Sequence, residues 1–304
     1  MLLGVHGSQA ADKLTLLLDW FVNPDHAPLF VAAERGYFAR HGLEVEIIAP
    51  ADPNDPPKLV AAGKADIAVS YQPQLYVQIA AGLPLTRFAT LIATPLNTLL
   101  VLEDGPVKSI ADLKGRKVGF SVGGFEDALL GAMLARHGLG LDDITLVNVN
   151  FSLSPALLAG QVDAVIGAYR NFELNQLEIE GYRGRAFFVE EHGVPSYDEL
   201  ILIANPERMD REVLRRFTDA LEDGVRYLVN HPDESWALFI RGRGELDDEL
   251  NRRAWRDTLA RFALRPGALD TARYDRFAGF LKAQGLLKTV PAIDTYAVAL
   301  WQRP

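Results

Sequence analysis

The sequence predicts an α/β protein built from two similar lobes, and a repeated segment is the main reason. Residues 62–66 read Ala-Gly-Lys-Ala-Asp, and residues 159–163 read Ala-Gly-Gln-Val-Asp. Each copy follows a helical pattern, offers a glycine that can end the helix in the left-handed conformation, and precedes a short apolar strand. Each strand then leads to a tyrosine, Tyr71 or Tyr169. Because ligands of open α/β sheets bind at the carboxyl ends of strands, this pattern indicates two lobes that clamp a ligand.

The order of elements in the first half indicates a parallel sheet. Apolar strand patterns alternate with helical patterns, which is the order that right-handed crossovers between parallel strands produce. Strands are expected at residues 14–18, 43–47, 67–69 and 88–93, and helices at residues 26–34, 37–41 and 73–81.

The second half repeats this order and then becomes helical. Strands are expected at residues 117–120, 145–149, 164–168, 186–189 and 199–204. After Met209 the spacing is that of helices with charged outer faces, which fits a tail returning to the first lobe. The chain is expected to cross between lobes near residues 103–106 and to return through the strand at 199–204. The predicted division is therefore a first lobe of residues 12–103 and 204–304, a second lobe of residues 104–203, and a leader remnant or disordered segment at residues 1–11.

Composition excludes several classes of function. The 304 residues include no cysteine, which excludes a thiol nucleophile, a thiolate metal site and a disulfide framework. The net charge of -9 is spread along the chain, which argues against nucleic acid or an anionic membrane as a partner. No apolar run approaches the roughly 18 residues of a membrane span. We expect a monomer that needs no cofactor and does not span a membrane.

The densest group of candidate binding residues directly follows the first strand. Asp19, Trp20, Asn23 and His26 supply a carboxylate, an aromatic face, an amide and an imidazole. Such a set suits a small, flat ligand that forms hydrogen bonds, since stacking contributes about 0.5–1.5 kcal/mol beyond the buried area and polar partners fix orientation. The alternative is that Trp20 and Phe21 belong to the core and that Asp25 only caps the next helix.

Further candidates follow other strands. Tyr71 and Gln72 come after the strand of the first repeat, although the tyrosine could instead only close the sheet edge. A glycine turn precedes the helix expected at residues 126–137, and backbone N–H groups at such a turn favour a carboxylate, a formyl oxygen or a phosphate. The candidates in and near this turn are Ser121, Gly123, Gly124, Phe125 and, at the start of an earlier apolar run, Asn97.

A second group, Tyr169, Arg170, Asn171 and Glu173, mirrors the first from the other lobe. Glu173 would accept from ring or amine N–H groups, and Tyr169 would stack. Arg170 would meet either a negative group on the ligand or an acidic neighbour. The order of residues gives neither a His-x-x-x-His pair nor a Ser–His–Asp arrangement, so metal and acyl-transfer sites are not expected.

These motifs resemble a family of solute-binding proteins over most of residues 13–205. The chain is similar to the thiamine-pyrimidine-precursor-binding proteins of ABC importers, a family related to the yeast pyrimidine synthase of thiamine biosynthesis. The likeness rests on Leu18-Asp19-Trp20 with Asn23 and His26, on Gly63-x-x-Asp66 with Ser70-Tyr71, on Asp112-Leu113-Lys114-Gly115, and on Gly167-Ala168-Tyr169 with Asn171 and Glu173.

The resemblance implies a two-lobed, type II periplasmic-binding-protein fold with two crossover strands and a helical carboxyl-terminal tail. It also implies a periplasmic or otherwise extracytoplasmic protein that catalyses no reaction. Such a protein captures a small heterocycle between its lobes and delivers it to the permease of an ABC importer. Asp19, Trp20 and Tyr71 would face the ligand from one lobe. Tyr169 and Glu173 would face it from the other, with Glu173 bonded to the edge of an aminopyrimidine.

Two departures from the family pattern lie in the expected pocket. Residues 21–28 match that pattern only at Asn23 and His26, and Arg170 stands where the family has tryptophan. One alternative is therefore a different heterocycle that carries an anionic or carbonyl group. Arg170 and the glycine turn keep open a second alternative, an alkanesulfonate or nitrate, and a ligand-sensing domain is a third. The related synthase requires a cysteine-rich segment, which a chain without cysteine does not have.

Overall fold

The computed structural model describes residues 10–300, so the leader expected at residues 1–11 falls outside the described residues except for Ala10 and Ala11. The strands are β1 Asp12–Leu17, β2 Leu43–Ile48, β3 Ile67–Ser70, β4 Thr86–Ile92, β5 Asn97–Leu102, β6 Lys117–Phe120, β7 Thr145–Asn148, β8 Ala164–Tyr169, β9 Gly184–Phe188 and β10 Leu200–Ala204. The helices are α1 Ala27–Glu34, α2 Tyr37–Arg40, α3 Pro56–Ala61, α4 Gln72–Ala80, α5 Glu126–Ala135, α6 Leu153–Leu158, α7 Glu173–Ile179, α8 Arg211–Asn230, α9 Pro232–Phe239, α10 Glu249–Thr258 and α11 Thr271–Ala283.

The strands form two sheets with the same topology. The first sheet has the order β2-β1-β3-β10-β4, and the second has the order β7-β6-β8-β5-β9. The first three strands of each sheet are parallel, as the sequence predicts. In contrast, β10 and β5 run antiparallel to both of their neighbours. Each of these antiparallel strands follows a passage of the chain from the other sheet, which confirms the two-lobed α/β architecture with two crossings.

The repeated segment has the same structural role in both sheets. Its glycine takes the left-handed conformation after α3 and after α6, with φ of 66° and 65°. The aspartate that follows then accepts a hydrogen bond from a backbone N–H of the neighbouring strand. Asp66 accepts from Thr15 at 2.8 Å in the first sheet, and Asp163 accepts from Lys117 at 3.0 Å in the second. The repeat thus fixes β3 beside β1 and β8 beside β6.

The chain passes between the sheets at residues 93–96 and 189–199, which corrects the expected lobe boundaries. The sequence places β5 in the first lobe, but Leu99 and Leu100 pair with β8 and β9 of the second sheet. The expected crossing at residues 103–106 is a tight turn in which Gly105 N donates to Leu102 O at 3.0 Å. A continuously apolar strand has no pattern that indicates which sheet it joins. We therefore propose a first lobe of residues 12–92 and 200–300 and a second lobe of residues 97–188.

Both passages are tied to one buried carboxylate. Glu199 Oε2 accepts hydrogen bonds from the backbone N–H of Leu96 at 2.6 Å and of Asn97 at 2.9 Å. It also accepts from the hydroxyl of Tyr197 at 3.1 Å. Burial raises the pKa of this carboxyl to about 7. The two segments that connect the lobes are therefore held side by side.

The helical tail returns to the first lobe, as predicted. Helix α8 packs on α1 and α2, and Ala297 forms a β-bridge with Arg87 of β4. The buried guanidinium of Arg87 donates to the carbonyl oxygens of Pro266 at 3.3 Å and Val298 at 3.2 Å. No helix within residues 10–300 has both the length and the apolar character needed to cross a membrane.

The contact between α8 and α1 requires a glycine. A Cβ at Gly224 would lie 2.8 Å from Ala32 Cβ and 2.8 Å from Pro28 O. Glycine to alanine inside a helix usually gains about 1 kcal/mol. Here the overlap with the backbone of α1 outweighs that gain, so we expect Gly224→Ala to lower the free energy of unfolding by about 1–3 kcal/mol.

Denaturant unfolding would measure this change, and Gly279→Ala in α11 is the matched control. No heavy atom lies within 4 Å of a Cβ at Gly279. The control is expected to be neutral or stabilising. Equal effects of the two substitutions would contradict close packing at Gly224.

Candidate ligand-binding site

A cleft between the two lobes encloses about 490 Å³, part of which is open to solvent. Nine of the fifteen predicted residues line it: Asp19, Trp20, Asn23, His26, Tyr71, Ser121, Phe125, Tyr169 and Glu173. The other lining residues are Asp25, Val122, Glu126, Leu153, Gly167, Phe172 and Leu200.

Asp19 lies at the carboxyl end of the first strand and is held by two neighbours. Its Oδ2 accepts a hydrogen bond from the Tyr71 hydroxyl at 2.7 Å, and its Oδ1 lies 2.9 Å from His26 Nε2. Burial raises the pKa of Tyr71 well above its usual value, so this hydroxyl keeps its proton and donates it. Both carboxylate oxygens of Asp19 thus have partners inside the protein.

Asn23 and His26 shape the turn that follows Asp19. Asn23 Oδ1 accepts from Asp25 N at 2.9 Å, so Asn23, and not Asp25, caps this turn. His26 Nδ1 accepts from Asn23 N at 3.3 Å. A ring nitrogen that accepts carries no proton, so Nε2 is the ring nitrogen that donates to Asp19. Asn23 and His26 therefore fix the conformation of the turn and the position of the Asp19 carboxylate in the first-lobe wall of the cleft.

Glu126 brings a carboxyl group into the second-lobe wall. Its Oε2 accepts from the backbone N–H of Ser121 at 2.8 Å and of Val122 at 3.2 Å. Burial raises the pKa of this carboxyl to about 8. A Cβ at Gly167 would lie 2.4 Å from Glu126 Oε1, so the glycine leaves room for this side chain. At neutral pH Glu126 is mostly a protonated acid that can donate a hydrogen bond.

Glu173 begins helix α7 on the same wall. Its Oε2 accepts from Tyr169 N at 2.6 Å, and burial raises its pKa to about 7. Only one of its two carboxylate oxygens has this backbone partner, and the side chain lines the cleft. Glu173 can therefore accept from a ligand N–H group.

Aromatic rings from both lobes meet around the cleft. Tyr71 stacks on Phe125 with ring centroids 4.8 Å apart. Trp20 contacts Phe151 edge to face at 4.6 Å and packs against the apolar cluster of the second lobe. These contacts place flat apolar surfaces beside the carboxyl groups, which suits a planar ring.

Asp25 lies where both lobes and the tail meet. Its Oδ1 accepts from Asn171 Nδ2 of the second lobe at 2.7 Å and lies 2.8 Å from Thr258 Oγ1 of α10. Its Oδ2 is buried and has no hydrogen-bond partner among residues 10–300. Burial raises the pKa of Asp25 to about 6. Asp25 thus presents an acceptor whose capacity is unused.

The lining is strongly acidic. Asp19, Asp25, Glu126 and Glu173 all contribute carboxyl groups, and the part of the chain between residues 10 and 300 supplies no lysine or arginine to the lining. The other titratable groups of this lining are His26 and two tyrosines. Such a cleft favours a ligand that donates hydrogen bonds or carries positive charge.

Four predicted site positions in α4, β5 and the glycine turn lie outside the cleft lining: Gln72, Asn97, Gly123 and Gly124. Gln72 Oε1 accepts from Asp198 N at 2.7 Å, which ties α4 to the return passage. Asn97 Oδ1 accepts from Gly167 N at 3.1 Å. In the glycine turn, Gly123 N donates to Asn54 Oδ1 at 3.1 Å, and the adjacent Gly124 is exposed with φ of 89°.

Arg170 and Asn171 also lie outside the cleft lining. Arg170 forms a two-pronged ion pair with Glu190 at 2.7 and 2.8 Å and lies over the ring of Phe188. The acidic neighbour, and not an anionic ligand, is thus its partner. Asn171 contacts Asp25 from behind the cleft wall.

Sequence reasoning overlooks Glu126 and does not include Asp25 among the predicted site residues, since a helix cap is an alternative role for it. Glu126 follows a glycine turn at the start of a helix, where a carboxylate often accepts backbone N–H groups. Asp25 stands inside the predicted group of Asp19 to His26. Position alone identifies neither as a lining residue, because their burial depends on the opposite lobe and on α10.

Known proteins resemble this chain over most of its length. The family model described as NMT1/THI5 like matches residues 23–235. A Haemophilus influenzae protein named for thiamine biosynthesis is 54% identical over 294 residues, 96% of this chain and 94% of that protein. A formylaminopyrimidine-binding protein of Halalkalibacterium halodurans is 34% identical and covers 83% of this chain and 77% of its own length. The 4-amino-5-hydroxymethyl-2-methylpyrimidine phosphate synthase of Schizosaccharomyces pombe is 26% identical, with 84% and 76% covered.

Solved structures share the fold at low sequence identity. A Candida albicans protein with the generic periplasmic-binding-protein fold superposes with a TM-score of 0.75 at 17% identity, over 96% of this chain and 97% of that one. The alkanesulfonate-binding protein SsuA of Xanthomonas axonopodis gives a TM-score of 0.74 at 18% identity, over 95% and 99%. The predicted two-lobed periplasmic-binding-protein fold is therefore confirmed. The family match over residues 23–235, together with the relative that is 34% identical, establishes that the chain belongs to the NMT1/THI5-like family.

Proposed function

We propose that the protein is the extracytoplasmic solute-binding component of an ABC importer and captures an aminopyrimidine or a closely related ring between its lobes. The observation that carries the proposal is the cleft itself, which combines flat aromatic surfaces with four carboxyl groups and has no basic side chain in its described lining. A permease is then the partner that receives the ligand, and the protein acts as a monomer.

An aminopyrimidine matches the hydrogen-bonding groups of the cleft. Its exocyclic amino group donates, and Glu173 offers an acceptor. Its ring nitrogens accept, and Glu126 has a proton to donate at neutral pH because its pKa is about 8. The ring itself can stack on Tyr71, Phe125 or Tyr169. The second-lobe wall thus offers both an acceptor and a donor to the edge of such a ring.

The relatives support binding and not catalysis. The Halalkalibacterium halodurans relative is named for binding a formylaminopyrimidine, whereas the more distant fungal relatives are named as synthases. The chain contains no cysteine, and the histidine in the cleft is engaged by Asp19 and Asn23. A mass-spectrometric search for a product after long incubation with ligand tests this point, because any turnover would favour the synthase activity.

An oxyanion is not the ligand that this site favours. The N–H groups of Ser121 and Val122 are used by Glu126, and that of Gly123 is used by Asn54. Arg170, the basic residue that suggested an anion, is neutralised by Glu190. A sulfonate in this cleft would face carboxyl groups without a counter-charge.

A comparison of ligand classes tests the proposal. We expect an aminopyrimidine at 100 times its Kd to raise the free energy of unfolding by about 2.7 kcal/mol, and therefore Tm by several degrees. Alkanesulfonates and nitrate are expected to leave Tm unchanged. Thermal unfolding measures the shift, and calorimetry measures the affinity. Tight binding of a sulfonate, with no binding of any aminopyrimidine, would reject the proposal.

A further inference from the structure

Asp25 is a buried carboxyl group that the ligand-binding proposal does not yet use. It is 1% exposed, lines the cleft, and belongs to the first lobe. Its Oδ1 is occupied by Asn171 Nδ2 and Thr258 Oγ1 at 2.7 and 2.8 Å. Its Oδ2 has no partner among the described residues. These contacts fix the side chain so that Oδ1 is hydrogen-bonded within the protein and Oδ2 is left without a partner.

The Thr258 hydroxyl gives Asp25 only part of a hydrogen bond. It lies 2.7 Å from Ala254 O as well as 2.8 Å from Asp25 Oδ1, and a hydroxyl has one proton to donate. Among residues 10–300, Asn171 Nδ2 is therefore the one donor to the Asp25 carboxylate that is not shared with a backbone carbonyl, and its second N–H donates to Thr258 Oγ1 at 2.7 Å. Asp25 is a carboxyl group that retains most of its capacity to accept.

The charges around Asp25, like its unused hydrogen-bonding capacity, favour a ligand group that donates hydrogen bonds. The imidazole of His26 favours the charged form of Asp25, whereas the carboxylate of Asp19 disfavours it. Arg261 attracts Asp25 from outside the lining, and no lysine or arginine among residues 10–300 lines the cleft. A buried carboxylate that has no ion pair is unfavourable, and a charge-assisted hydrogen bond is roughly twice as strong as a neutral one. A cationic group on the ligand would therefore contribute more here than a neutral amide.

We propose that Asp25 selects ring ligands that carry a protonated amine over ligands in which that amine is acylated. The inference rests on the proposed binding of an aminopyrimidine and specifies its substituent. The ammonium group binds Asp25 Oδ2, while Oδ1 stays bound to Asn171. Formylation removes the positive charge and leaves at most one N–H, so the formylated compound binds more weakly to this protein.

Two probes test the proposal: an aminopyrimidine with an aminomethyl group, and the same compound formylated on that amine. Calorimetry at pH 7 is expected to show that the wild-type protein binds the amine at least about 10-fold more tightly. Asp25→Asn keeps an oxygen for Asn171 but turns a donor toward the ligand. It is expected to weaken binding of the amine about 10- to 100-fold and to change binding of the formylated compound little.

Thr258→Val is the control, since it alters the support of Asp25 without changing the atom that faces the ligand. It is expected to change both affinities by the same factor. The inference is overturned if the wild-type protein prefers the formylated compound, or if Asp25→Asn lowers both affinities equally. The wild-type preference tests the inference even if Asp25→Asn does not fold. Binding of the formylated compound alone would leave the proposed function standing, whereas binding of neither probe would reject both.

Discussion

Glu173→Gln is expected to weaken binding of an aminopyrimidine about 10- to 100-fold while leaving the empty protein as stable as before. The carboxylate accepts from Tyr169 N at 2.6 Å, and glutamine keeps one oxygen for that bond. It then offers an amide N–H to the ligand where the wild-type protein offers an acceptor. Hydrogen bonds to charged groups are worth about 1.5–3 kcal/mol, which sets the size of the effect.

The stability of the empty protein separates binding from folding at this position. Burial disfavours the charged form of Glu173, so the loss of that charge removes an unfavourable contribution. Calorimetry and thermal unfolding measure the two properties. Glu178→Gln on the same helix is the control, because Glu178 is exposed and only contacts Arg253 at 3.3 Å. A large fall in Tm with unchanged affinity would identify Glu173 as a structural residue.

The empty protein is expected to lose stability as pH rises from 5 to 8. Four buried carboxyl groups have raised pKa values in the folded state: about 6 for Asp25, about 7 for Glu173 and Glu199, and about 8 for Glu126. Between the unfolded and folded pKa the folded protein holds more protons, so raising the pH favours unfolding. Each group then contributes a loss of at most about 1.4 kcal/mol per pH unit.

Glu126 contributes over the widest pH range, from its ordinary pKa of 4.5 to about 8. Denaturant unfolding across pH 5–8 measures the slope, and Glu126→Gln is expected to make it shallower. His192 acts in the opposite direction because burial lowers its pKa, but it is a single, partly exposed group. The carboxyl groups with lowered pKa, such as Asp52 and Asp112, titrate below this range. A stability that rises from pH 5 to pH 8 would contradict the expectation.

Much of the fold follows from local sequence patterns. The Ala-Gly-x-x-Asp repeat predicts a helix end, a left-handed glycine and a strand, because each of these depends on residues that are adjacent in the chain. The pairing of Asp66 with Thr15 could not be predicted, since it joins residues far apart in sequence. The sequence likewise could not predict which of the two sheets contains β5, because an apolar strand can pack into either core.

The sequence predicts that the site lies at the ends of strands. It does not predict which side chains at those ends point into the cleft. Tyr71 and Gln72 are adjacent, yet one reaches Asp19 and the other reaches Asp198. Arg170 and Glu173 differ in the same way, since Arg170 pairs with Glu190 whereas Glu173 lines the cleft. Adjacent residues diverge at the end of a strand, and only the packed neighbours decide which of them lines the cleft.

The carboxylate of Glu199 restricts how the two lobes can move relative to each other. A sliding movement would take Leu96 and Asn97 away from it and leave a buried carboxylate without donors, which costs several kcal/mol. A rotation whose axis passes near Glu199 keeps these bonds. Tyr169, whose hydroxyl lies 3.4 Å from Glu199 Oε1, is then near the axis and moves least. Ligand entry would therefore separate the aromatic contacts of Trp20 with Phe151 and of Tyr71 with Phe125, while the connecting segments only twist.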